Sequence, residues 1–162
     1  MRAIVIFLLV TGIFSVKAQT KTVKLKFVET RSYCGGAAPT QEMVEELKIK
    51  KPFAYQSIYV YSKGKCVDSL RTDSAGRVNK KMKAGKYDLY LPWKHFKQAP
   101  AGELSEYNLD CMKKEWVMAD GILTISAKGV AFTNKRIGHQ FCFWQYNCLI
   151  ERHLPPSAPK QN

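Results

Sequence analysis

Val23, Leu25 and Phe27 alternate with Lys24, Lys26 and Val28 in TVKLKFVET, residues 22–30. A period of two sends the two sets to opposite faces, so this run reads as a strand. From Thr40 to Lys48 the period lengthens. Met43, Val44 and Leu47 make a narrow apolar stripe, with Glu42, Glu45 and Glu46 toward its start and Lys48, Lys50 and Lys51 at its end. That order of charge suits a short helix, and Pro52 forbids its continuation.

Residues 57–91 return to short alternating runs. Ser57–Ser62, Lys65–Thr72, Arg77–Met82 and Lys86–Leu91 read as strands, separated by turns at Lys63-Gly64, DSAG (73–76) and Ala84-Gly85. Asp73 can cap its turn and Gly76 is free to take positive φ. Beyond Pro92 the pattern weakens. Trp93–Phe96 reads as a strand end or a helical turn, and Asn108–Val117 as a short helix or a strand. Gly121–Lys128, Val130–Thr133 and His139–Tyr146 read as strands. The predicted fold is mainly β, a β-sandwich of about seven strands with one short inserted helix.

Within this region TDSAGRV is followed by KAGKYDLYL. Thr72, Asp73, Gly76, Gly85, Lys86 and Tyr87 resemble the turn-and-strand signature of prealbumin-like modules, which include the carboxypeptidase regulatory-like and collagen-adhesin B-type domains. The likeness covers roughly residues 55–92. YCGGA-P and the Pro-rich end are also similar to small exported bacterial proteins that carry such a module. The resemblance implies that the expected β-sandwich is prealbumin-like or immunoglobulin-like, and it leaves activity open. Hydroxyisourate hydrolase is the prealbumin-fold enzyme to weigh, and its histidine-rich site and C-terminal Tyr-Arg-Gly-Ser ending are missing here.

The ends add a compartment. Arg2, an apolar run from Ala3 to Phe14 and Val16-Lys17-Ala18 have the layout of a secretory signal, with cleavage after Ala18. The apolar run is too short to span a bilayer comfortably, and no later segment is long and apolar enough to do so. The expected organisation is a signal peptide at 1–18, one domain at 19–153 and a flexible tail, LPPSAPKQN, at 154–162. The mature chain is expected to be periplasmic or extracellular and not membrane-spanning. Without Arg2 and Lys17, the 26 basic residues fall to 24 against 13 acidic ones, a net charge near +11. Such a surplus favours anionic envelope polymers or glycans, and export argues against nucleic acid.

Five cysteines then bear on disulfides: Cys34, Cys66, Cys111, Cys142 and Cys148. In an oxidising compartment two bridges and one free thiol are expected. Cys142–Cys148 requires a loop between them, because six residues of strand span about 20 Å and a bridge needs Cα atoms within about 7 Å. Cys34 then falls to Cys111, with Cys34–Cys66 as the competitor and Cys66 as a free thiol buried in a strand. Cys34 ahead of Gly35-Gly36 and a helix start could also be a reactive thiol, but none of His95, His139 and His153 is tied to it by a motif. His139, Cys142, Cys148 and His153 match no familiar zinc spacing. Accordingly no catalytic residue, metal or cofactor is assigned. Tyr90, Trp93, Trp144 and Tyr146 are the aromatics that could stack on a ligand. The expected function is a non-enzymatic exported accessory or binding module with a basic surface. The alternatives are a carbohydrate-binding module using exposed aromatics, or a small secreted enzyme using Cys34.

Overall fold

The computed structural model describes residues 20–140, Cys142, Tyr146 and residues 148–150. The leader expected at 1–18, the tail at 154–162, Trp144 and His153 lie outside them. The chain is mainly β, as its alternation predicts. Its strands are β1 (Thr20–Lys26), β2 (Val28–Arg31), β3 (Lys51–Pro52), β4 (Ser57–Ser62), β5 (Lys65–Arg71), β6 (Arg77–Lys83), β7 (Gly85–Tyr90), β8 (Gly121–Ser126), β9 (Gly129–Asn134) and β10 (His139–Gln140). Three α-helices join them: α1 (Gln41–Lys48), α2 (Pro92–His95) and α3 (Leu109–Val117).

Five strands form an antiparallel sheet in the order β5-β4-β7-β8-β9, β1 and β6 form a separate ribbon, and β2 lies between β10 and β3. The Asp73–Gly76 turn connects sheets rather than closing a hairpin, since β5 stays with β4 while β6 pairs with β1. Asp73 Oδ1 accepts from the amides of Ala75 and Arg77, each at 2.8 Å. Gly76 takes φ +70°, and a Cβ there would lie 2.3 Å from the carbonyl oxygen of Phe27. Only glycine combines that backbone with that approach. The Phe27 amide donates to Gly76 O at 2.8 Å, and Phe27 O accepts from the Phe53 amide at 3.2 Å. These bonds replace strand pairing at Phe27, so the single strand expected over 22–30 divides into β1 and β2.

Alternation then fills the space between layers. Val23, Val78 and Met82 from the ribbon meet Ile58, Val60, Leu70, Leu89, Leu123 and Ile125 from the five-stranded sheet in one core, with Phe27 and Ile137. Burying each such side chain contributes about 1.5–3 kcal/mol before entropy is counted.

The helices correct the expectation of one. α1 starts where expected: Thr40 Oγ1 accepts from the Met43 amide at 3.3 Å, although its narrow stripe leaves no residue fully buried. Pro92 does more than end a strand, because it opens α2, where a missing amide costs nothing. Asn108 Oδ1 caps α3 by accepting from the Cys111 amide at 3.0 Å.

The disulfides also depart from the expected pairing. The bridges are Cys34–Cys142 and Cys111–Cys148, not Cys142–Cys148 with Cys34–Cys111. β10 runs parallel to β2, with His139 opposite Thr30 and Gln140 opposite Arg31, and the Ser32 amide donates to Gln140 O. Two chains advancing side by side bring Cys34 and Cys142 together a few residues later. Cys66 is free, as expected, but exposed rather than buried. A register shift between Val60 and Tyr61 sets Val60 against Asp68 and Tyr61 against Cys66. The extra residue, Val67, turns Cys66 to the outer face with Tyr61. Cys34 is exposed as well.

Candidate functional site

α3 presents Cys111, Met112, Glu115 and Trp116 on one face, the spacing that a 3.6-residue period places together. Met112 is buried, and Cys111 bonds covalently to Cys148. The chain before α3 holds the same C-terminal segment by its backbone. The Asn108 amide donates to Cys148 O at 2.7 Å, and the Ile150 amide donates to Glu106 O at 2.9 Å. Tyr107 and Tyr146 meet edge-to-face within this clamp, their ring centres 6.4 Å apart.

β7, α2 and β8 build the opposite side. Lys94 of α2 and Asp120, just before β8, have side chains wholly removed from solvent, with Nζ 2.8 Å from Oδ1. Lys94 Nζ also donates to Met118 O at 2.6 Å. Asp120 Oδ2 accepts from the Leu91 amide at 2.9 Å, and its carbonyl oxygen accepts from the amides of Lys135 and Arg136. Oδ1 takes part in no hydrogen bond of regular geometry, so the Lys94 ammonium is its charge partner rather than a well-aimed donor. Burial pushes the Lys94 ammonium below its ordinary pKa, while the Asp120 carboxylate pulls the other way.

Between these two sides lies a cavity of about 240 Å³, somewhat smaller than most ligand pockets, which run from roughly 300 Å³ upward. Trp93, Tyr107 and Tyr146 give it aromatic walls, and Arg136, Glu115 and His139 give it polar ones. Arg136 and Glu115 form a close ion pair through Nη1 and Oε2. The Tyr107 hydroxyl donates to Ala101 O at 2.8 Å. Burial, with Tyr146 beside it, pushes the Tyr107 phenol up to about 12. Burial also raises Tyr146, with Arg136 opposing. The charged side chains in and behind the walls pair off, so this lining is polar without a large net charge.

Of the aromatics predicted to stack on a ligand, Trp93 and Tyr146 meet in this cavity. Tyr90 sits elsewhere, edge-on to Tyr61 with its hydroxyl donating to Val117 O at 3.0 Å. Trp144 lies outside the described residues. Cys34, spent in a disulfide, is no free nucleophile. Among the described residues no group of three or more His, Cys, Asp or Glu is gathered as a metal site, and no helix is long and apolar enough to cross a membrane. Two disulfides suit an oxidising, exported environment.

Sequence reasoning missed Lys94, Asp120, Arg136 and Glu115. Asp120 and Arg136 stand in loops, Lys94 and Glu115 on short helices without a clear sequence period, and none carries a motif. A lysine inside a four-residue run otherwise made of Pro, Trp and His was the one available hint. Comparison with known proteins finds no matching family model, no matching curated protein and no matching solved structure.

Proposed function

We propose that the protein is a non-enzymatic exported binding module that takes one saccharide ring into the cavity between α2, α3 and the C-terminal segment. The observation that carries this reading is the meeting of Trp93, Tyr107 and Tyr146 around a 240 Å³ space beside the Arg136–Glu115 pair. Aromatic faces suit the C–H faces of a sugar ring, while a guanidinium and a carboxylate held side by side offer donors and acceptors to neighbouring hydroxyls. Paired charges favour an uncharged polyol over an ion. The walls are braced by Cys111–Cys148 and by Lys94–Asp120, so little ordering is left for the moment of binding.

Export after cleavage near Ala18, to the periplasm or beyond the cell, belongs to this proposal, as does the prealbumin-like assignment resting on Thr72, Asp73, Gly76, Gly85, Lys86 and Tyr87. The reading is tested on an array of neutral and acidic oligosaccharides probed with the mature chain. The expected result is retention of neutral glycans that changes little between low salt and 0.5 M salt and drops at least tenfold in Trp93→Ala. Retention that is unaffected by Trp93→Ala and Tyr146→Ala would overturn it.

A further inference from the structure

The ribbon of β1 and β6 has a second face, away from the core. Residues opposite one another in an antiparallel pair point to the same side of the sheet. The register sets Thr20 against Lys83, Thr22 against Lys81, Lys24 against Asn79 and Lys26 against Arg77. All eight are exposed, and the intervening residues turn toward the core. This face therefore carries five cations, three neutral hydrogen-bonding side chains and no acid. None of the five cations joins an ion pair found among the described residues. Lys80, on the inner side of the same strand, is by contrast paired with Asp68 at 2.5 Å.

We propose that this face is a docking surface for a linear acidic polysaccharide. Along each strand same-side residues recur about every 6.7 Å, and the two rows stand about 5 Å apart. The result is a narrow ladder roughly 20 Å long that follows an extended chain better than a point anion. Thr20, Thr22 and Asn79 lie between the cations and hydrogen-bond to hydroxyls or to the ring oxygens of such a chain. The face has no exposed apolar or aromatic side chain. It thus has nothing to insert among acyl chains and nothing on which to stack a nucleobase. The five charges account for nearly half of the net charge near +11 of the chain without its leader. No cavity residue lies on β1 or β6, so this surface is independent of the saccharide pocket.

The experiment measures binding of the mature chain to heparin and to polygalacturonate as a function of salt, with phosphatidylglycerol vesicles as a competitor. Lys24→Gln with Lys81→Gln removes two exposed charges, and Lys50→Gln with Lys63→Gln removes two elsewhere. The ribbon variant is expected to weaken binding to both polymers at least tenfold at low salt and to reduce the slope of log affinity against log salt by about 2. The control pair should leave both within twofold. Equal losses in the two variants would reduce the ladder to a generally basic surface and overturn the proposal. Vesicles that bind in preference to both polymers would also overturn it.

Discussion

At the scale of single residues, the buried Lys94–Asp120 pair is the most consequential feature. Both side chains are wholly removed from water, so neither charge can fall back on solvation when its partner is lost. Asp120→Ala is expected to lower stability by about 3–5 kcal/mol in urea unfolding. Adding Lys94→Met to that variant should recover part of the loss, because no unpaired charge then stays buried. A second residue-scale effect appears at high pH. Tyr107 has its phenol raised from about 10 in the unfolded chain to about 12 in the fold. The neutral form is thus favoured by folding. Its contribution is complete below pH 10 and is lost as pH rises through the interval to 12. Tyr61, Tyr90 and Tyr146 are raised as well and act in the same direction. Lys94, lowered by burial, acts the opposite way as pH approaches its unfolded value of 10.5. Thermal unfolding should show a loss of on the order of 2 kcal/mol from Tyr107 alone between pH 10 and 12, and Tyr107→Phe should flatten that part of the profile.

At the scale of elements, what could be read from the sequence follows the strength of local pattern. The β4 to β7 strands, with their Gly- and Asp-rich turns, alternate so regularly that their boundaries fall within a residue or two of the structure. α1 announces itself by Thr40, its acidic start and Pro52. α2 has four residues, too few for any periodicity, and α3 mixes Leu109, Cys111, Met112, Trp116 and Val117 in an order that serves a strand nearly as well. Disulfide pairing was illegible for a different reason. It depends on β10 lying parallel to β2, a tertiary contact between segments over a hundred residues apart. The register shift that exposes Cys66 leaves no local trace either. The two bridges have distinct jobs. Cys34–Cys142 closes a separation of 108 residues and Cys111–Cys148 one of 37, for which chain entropy alone suggests about 5 and about 4 kcal/mol. Replacing Cys111 and Cys148 together by serine should lower stability by about 2–4 kcal/mol. In the same variant, limited proteolysis should cut within residues 141–150 before it cuts the core strands, because the covalent tie between Cys148 and α3 is then gone.

At the scale of the whole molecule, chemistry is divided between two places. The cavity gathers aromatic rings around charges that cancel in pairs, whereas the β1–β6 ribbon displays cations that join no ion pair among the described residues. The sequence showed the size of the basic surplus but not its arrangement, because Lys24, Lys26, Arg77, Lys81 and Lys83 become neighbours only when β6 leaves β5 and pairs with β1. The cavity was half visible: Trp93 and Tyr146 were candidates from composition, yet Arg136, Glu115 and Asp120 join them only through the packing of α3 and β8. The proposed occupation of this cavity by a saccharide ring is tested by following tryptophan indole N–H signals by NMR while neutral and acidic mono- and disaccharides are added to the mature chain. A neutral sugar is expected to shift the Trp93 indole in a saturable manner. The Trp116 indole, which donates to Gln98 O, should move little. Saturable sugar binding that leaves the Trp93 signal in place would contradict it.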